Sequence, residues 1–381
     1  MNNTTRWFLI SVLAFLLVNS LWSQETTSAA SSFKNPGWSV VPSTDVAGQQ
    51  DRLINVAADS RSDAWAFGVK DAAPSPPFLE HWNGSKWNIV ASPQFDYTMQ
   101  LQGIAALTPN NVWVVGNRIQ ITHTTFYERT LIGHWDGKKW SVVPSPNAGP
   151  TEFLYAVTAV SANDIWAVGS DFSRYHTLVE HWNGTTWSIV PSPNANSSDN
   201  ELYGVQALSS TDVWAVGSTS KNFGGYQPLI EHWNGSKWSI TSGPHPGGQS
   251  GSQLYAVSPI APNDVWAVGY VQEQSEQTLT EHWNGKKWSV IASPDISQGS
   301  HILRSVVALS AKDVWAVGYV VDTGSLLLHW NGTSWSVVKS PDSTLFDSQL
   351  YGAAIAPEQG IWAVGTAIHQ SGEMTLTDFY G

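Results

Sequence analysis

The amino-acid sequence predicts an all-β, seven-bladed β-propeller with four antiparallel strands to a blade, and three observations carry that prediction. First, the stretch Asn163-Asp164-Ile165-Trp166-Ala167-Val168-Gly169 returns six more times, with tryptophans at Trp65, Trp113, Trp214, Trp266, Trp315 and Trp362 spaced by 48, 53, 48, 52, 49 and 47 residues. Second, other anchors follow it in a constant order, as in Glu180-His181-Trp182-Asn183-Gly184 and then Trp187-Ser188-Ile189-Val190-Pro191-Ser192-Pro193. Third, the two ends of the chain are complementary. Trp38-Ser39-Val40-Val41-Pro42-Ser43 is a final anchor with nothing before it, and the last unit stops at Leu376-Thr377-Asp378-Phe379-Tyr380-Gly381, where the middle anchor ends. A unit of about fifty residues cannot bury its own apolar faces, so its neighbours must supply the core.

In chain order, Arg6 precedes an apolar run from Trp7 to Val18, followed by small and polar residues up to Ala29 and Ala30. That is the layout of a secretory signal, expected over 1–30 with cleavage near Ala30 or, alternatively, near Ser23. The rival reading is an uncleaved anchor, for which the run to Trp22 is slightly short. Either way the rest, 31–381, is expected to be a single propeller domain outside the cytoplasm. Within it, 37–43 supplies the last strand of the seventh blade, so that the ring closes without a disulfide. In the unit around Trp166 the four strands are expected at Leu154 to Val160, Ile165 to Gly169, Leu178 to Trp182 and Trp187 to Pro191. β-branched and aromatic residues favour them, and Asn183-Gly184 is a strong hairpin signal between the last two.

Composition narrows the functional classes. The 381 residues are 42% hydrophobic and 13% charged, with net charge -12, which disfavours partners held through many phosphates and argues against nucleic acid. The chain has no cysteine, hence no disulfide, thiolate metal site or cysteine nucleophile. No nucleophile elbow, phosphate loop, zinc motif or dinucleotide fingerprint is present. No cofactor is expected, and the anticipated state is a monomer.

Of the 22 tryptophans, all but Trp7 and Trp22 fall at repeated strand positions, which points to blade packing rather than to a sugar site. His81, His134, His181, His232, His282 and His329 precede a third-strand tryptophan, and Glu80, Glu180, Glu231 and Glu281 precede those histidines. Copies one blade apart diverge around a ring, so the histidines are read as hydrogen-bonding partners of the turn aspartates Asp63, Asp164, Asp212, Asp264 and Asp313. Asn83, Asn183, Asn234 and Asn331 head Asn-Gly-Ser/Thr sequons, but the turn already calls for Asn-Gly.

Function is expected where the repeat varies, on loops carried by the scaffold. The longest such loop is Asn117 to Thr130, with His123, Tyr127, Glu128 and Arg129. Others carry Arg174, Tyr175 and His176, then Asn222, Phe223 and Tyr226, then Glu273 and Glu276, and last His369 and Glu373. On the same face the first strands open with Tyr155, Tyr203, Tyr255 and Tyr351 in four blades, and with Gln102, Arg304 and Ile54 in the others. Gln102, Tyr155, Tyr203, Tyr255, Arg304 and Tyr351 are therefore the candidate ligand-binding residues, at the mouth of a central funnel.

A hydrophobic first strand, a second ending in glycine, a variable loop, an aromatic third strand, a tight turn and a fourth strand opening with Trp together resemble the kelch-type β-propeller. The resemblance covers the whole mature chain. The kelch diglycine is not intact, since the second strands end Val-Gly followed by Ser170, Ser218, Tyr270 or Tyr319. Galactose-oxidase relatives of that family use a cross-linked cysteine, which this chain lacks. The expected function is a secreted, non-catalytic module whose ligand is a protein or a glycan. A carbohydrate-binding protein is the first alternative. The second is a polysaccharide hydrolase or lyase with its site in the funnel, for which Glu128 with Glu273 or Asp322 are the available carboxylates. Membrane association is expected only if the N-terminal segment stays uncleaved.

Overall fold

A computed structural model of the protein describes residues 37–44, 51–70, 75–92, 95–96, 98–121, 125–221, 224–294, 296, 299–342, 346–358, 360–369 and 372–381. The expected signal or anchor at 1–30 lies outside the described residues. So do His123, Asn222 and Phe223.

Seven antiparallel sheets of four strands form the ring, and no helix occurs among the described residues. In blade three the strands are Glu152–Ser161, Asp164–Asp171, His176–Trp182 and Trp187–Ile189, hydrogen-bonded in that order. The seventh blade takes three strands from the C-terminal end, Phe346–Ala356, Gly360–His369 and Gly372–Tyr380, and its fourth from Trp38–Val40. The closing register is antiparallel, Trp38 opposite Tyr380 and Val40 opposite Asp378.

The recurrent glycine that ends the Trp-Ala-Val-Gly run has a steric cause. In blade three the pairing of the first two strands shifts by one residue between Leu154 and Ala156, and Gly169 lies at that bulge. A Cβ on Gly169 would stand 1.8 Å from the Phe153 carbonyl oxygen, so no larger residue fits the strand approach.

The core lies between blades. Trp166 and Val168 of blade three share one buried cluster with Leu202, Val205, Val213 and Leu229 of blade four. The tryptophans repeat this contact around the ring. Trp166 sits 4.9 Å from Trp233 and 5.5 Å from Trp238, ring centre to ring centre, and Trp113 stands likewise to Trp182 and Trp187. At the closure Trp315 of blade six meets Trp38 at 5.4 Å and Tyr380 at 4.8 Å, while Trp362 of blade seven meets Trp82 and Trp87 of blade one, each at 5.1 Å. Each third-strand tryptophan also donates its indole N–H to the turn before its second strand, as Trp182 does to the Ala162 carbonyl at 3.2 Å.

Each of the six histidines stacks on the second-strand tryptophan of its own blade; for His181 on Trp166 the centroids are 4.2 Å apart. Its Nε2 meets the turn carboxylate, as in His181 to Asp164 Oδ1 at 2.8 Å. His81, His232, His282 and His329 repeat the bond to Asp63, Asp212, Asp264 and Asp313, and His134 uses Asn111. Blade seven changes both members together. Phe379 replaces the histidine and packs on Trp362 at 4.7 Å, and Gly360 replaces the aspartate.

Candidate binding site at the channel mouth

The seven first strands surround a central channel of about 590 Å³ lined by Ile54, Gln102, Tyr155, Tyr203, Tyr255, Arg304 and Tyr351 near its upper end. Antiparallel pairing defines that end. Glu152 opposes Asp171, which opposes His176, so the start of the first strand and the hairpin between the second and third strands share one face. The six candidate residues and Ile54 are thereby brought into one annulus.

The aromatic side chains of the annulus are in contact. Tyr155, Tyr203 and Tyr255 follow one another at 5.4 and 5.6 Å between ring centres. The Arg304 guanidinium lies 4.5 Å over the Tyr255 ring and 5.6 Å from that of Tyr319. Its Nη2 donates to Tyr319 Oη at 3.0 Å, and Tyr319 in turn packs 5.9 Å from Tyr351. Cation–π contact and a rigid guanidinium plane suit each other, so the arginine is held in one orientation.

A second tier lies two residues earlier on each first strand, on the same side because side chains alternate. It holds Glu201, Gln253 and Gln349. Tyr155 donates to Glu201 Oε2 at 3.3 Å, Tyr255 to Gln253 Oε1 at 3.0 Å and Tyr351 to Gln349 Oε1 at 2.7 Å. Burial raises the pKa of Glu201 against the hydrogen bonds from Tyr203 and Tyr155. Burial also pushes Tyr255 up to about 12, and raises Tyr155 and Tyr203 further beside the Glu201 charge. The phenols are therefore neutral hydrogen-bond donors at ordinary pH. Glu201, Gln253, Gln349 and Tyr319, together with Tyr270, whose ring lies 5.9 Å from that of Tyr255, are the residues around the annulus that sequence reasoning missed. The two-residue period from Tyr203, Tyr255 and Tyr351 was the available signal.

Beside the annulus neighbouring first strands approach closely. A Cβ on Gly204 would stand 2.6 Å from the Tyr255 carbonyl oxygen, and one on Gly103 would stand 2.9 Å from Ala156 Cα. Small residues here let neighbouring first strands approach one another around the ring.

The hairpins around the mouth are more strand-like than the expected open loops: Tyr226 lies opposite Ser220, Glu276 opposite Gln272 and Glu373 opposite Ile368. Most of Asn117 to Thr130 is paired strand, with Arg118 opposite Arg129 and Gln120 opposite Tyr127, because alternating Arg-Ile-Gln-Ile meets Phe-Tyr-Glu-Arg across a ladder. Exposed apolar side chains stand at or near several hairpin ends: Ile121, Tyr175, Tyr226 and Val321. Glu128, Glu273 and Asp322 belong to blades two, five and six. On the opposite face the Asn-Gly turns are built by the asparagine itself. Asn183 Oδ1 accepts from Thr185 N and Thr186 N, both at 3.0 Å, and from Thr185 Oγ1 at 2.7 Å.

The architecture defines the chain as a seven-bladed β-propeller. No family model matches it, and no curated protein matches it either. Solved structures share the fold. YCF48 bound to D1 peptide is similar at 13% identity and TM-score 0.57, with 92% of this chain and 98% of that one covered. A chain of the mitotic checkpoint complex is similar at 11% identity and TM-score 0.56, covering 94% and 96%.

Proposed function

We propose that this protein is a secreted, non-catalytic binding module that takes one ligand at the channel mouth, on the face that carries the variable hairpins. One observation carries the reading. The scaffold repeats the same tryptophans, glycines and turns from blade to blade, yet around the preformed cavity the tyrosine of Tyr155, Tyr203, Tyr255 and Tyr351 gives way to Ile54, Gln102 and Arg304 in the other three blades. Binding sites are concave and largely preformed, with a few converging polar groups among apolar ones. Secretion rests on the apolar run after Arg6, and the kelch-like reading of the blades rests on their strand order. The solved structure of YCF48, alike in fold, is bound to a peptide, which fits a peptide or protein partner.

A glycan-binding reading with blade-repeated sites has one observation in its favour. Blades two and four carry outer cavities of similar size, about 420 Å³ beside Arg118, Arg129 and Asn147, and about 410 Å³ beside Asn196, Gln227 and His245. Peptide and glycan arrays on the chain from Ser31, with calorimetric stoichiometry for each hit, separate the two. The mouth site predicts one equivalent per chain and at least a tenfold loss in Tyr155→Ala, about 1.4 kcal/mol. Several equivalents, insensitive to that change, would replace it by blade-repeated sites.

A further inference from the structure

The chain holds 18 Lys and Arg against 30 Asp and Glu, so a cation without a carboxylate beside it is conspicuous. Arg304 is such a cation. Among the described residues no carboxylate lies within ion-pairing distance of it, and its Nε is buried with no hydrogen-bond partner. Its Nη2 donates to the Tyr319 hydroxyl. A guanidinium has five N–H donors, and one withdrawn from water without a counter-ion is costly unless something compensates it. The rings of Tyr255 and Tyr319 hold it at the wall of the channel.

We propose that Arg304 receives a carboxylate of an acidic peptide segment entering the mouth; the inference rests on the mouth being the binding site. An arginine fixed in one plane is suited to a planar carboxylate, which accepts two parallel hydrogen bonds from it. Two features select a peptide over an acidic sugar. The tyrosine rings are tilted at 54° and 49° to one another, so they do not line up as one flat platform for a pyranose. The exposed Ile121, Tyr175, Tyr226 and Val321 offer apolar contacts on the same face, as protein interfaces do. The net charge of -12 repels acidic chains at long range, so the attraction is local and addresses one carboxylate instead of a polyanion.

The test uses the chain from Ser31 with an immobilised library of capped hexapeptides that have a central glutamate and randomised flanks. A glutamine-matched library and trigalacturonate serve as the other probes. The glutamate library should capture the protein at least tenfold more strongly than its twin. Arg304→Gln should erase that preference, and Arg304→Lys should keep only part of it, because an ammonium cannot donate two parallel bonds from one plane. Tyr319→Phe removes the phenol that orients the guanidinium while keeping the charge and the ring, and should weaken the preference several-fold. Melting temperatures show that each variant is folded, and Tyr319→Phe carries the test should Arg304→Gln fail to fold. Equal capture of both libraries, still abolished by Tyr155→Ala, overturns the carboxylate inference and leaves the mouth as the site. Capture indifferent to all these changes overturns both. Binding of trigalacturonate alone, or of no probe, overturns the peptide inference.

Discussion

Ser145 Oγ, just beyond the fourth strand of blade two, donates to Glu180 Oε2 of blade three at 2.8 Å, and the carboxyl group it reaches is fully buried between the two blades. Thr130 of blade two stands 2.7 Å from the same serine hydroxyl, completing a chain across the interface. Glu231, Glu281 and Asp378 occupy the matching third-strand position and are buried as completely. Where the position holds Gly133 instead, the Phe95 ring fills the space, 2.7 Å from where a Cβ would stand. Carboxyl groups so deprived of water favour their neutral form, and burial pushes Glu180, Glu231, Glu281 and Asp378 up to about 8.

These carboxyl groups should make the ring sensitive to alkali. Each glutamate's folded pKa of about 8 lies above its ordinary value of 4.5, so the folded state holds the proton more tightly than the unfolded one. Their contribution is complete below about pH 4.5 and is lost as pH rises to about 8. Thermal unfolding should therefore fall by at least about 5 °C between pH 5 and pH 8.5. The triple variant E180Q/E231Q/E281Q, which cannot ionise there, should show less than half that slope. Parallel slopes for the two proteins would refute the assignment.

His181→Ala removes both the bond to Asp164 and the stack on Trp166. It should cost about 1–3 kcal/mol in denaturant unfolding while leaving ligand affinity unchanged. Asp164→Asn should cost less than about 1 kcal/mol, because blade two already pairs His134 with Asn111 at 3.0 Å. An unchanged His181→Ala midpoint would show that the contact contributes nothing.

Blade seven allows a reciprocal exchange. A Cβ on Gly360 would stand 2.7 Å from Phe379 Cζ, so Gly360→Asp alone should destabilise by about 1–3 kcal/mol. Adding Phe379→His rebuilds the histidine–aspartate pair found in five other blades and should recover at least about 1 kcal/mol as a coupling energy. A double variant as unstable as the sum of its parts would mean that the two positions are independent.

Closure of the ring should be the weakest point to truncation. Trp38 packs on Trp315 and Tyr380, and the three-residue strand covers the edge of Gly372–Tyr380. Trp38→Ala should cost about 2–4 kcal/mol. A chain beginning at Thr44 leaves that nine-residue strand as an open edge and should elute as aggregate in size-exclusion chromatography. A monodisperse, fully stable truncated chain would show that the ring does not need its N-terminal strand.

The sequence by itself determined the number of blades, the order of strands within each, and the strand that closes the ring. These depend on local signals: a period near fifty residues, apolar alternation, Asn-Gly turns, and two incomplete units that complement each other. It also marked the annulus, since Tyr155, Tyr203, Tyr255 and Tyr351 share one repeat position from which Gln102 and Arg304 depart. What only the tertiary structure decided is which copies meet across a blade boundary. Ser145 and Glu180 are 35 residues apart, and their contact follows from the twist of each sheet and the curvature of a closed ring. The clamp of Tyr255 and Tyr319 on Arg304 likewise joins a first strand of one blade to both strands that start the next. Repetition along a chain encodes the unit, whereas contacts between units depend on how far each rotates on its neighbour, and that rotation comes from packing the whole ring.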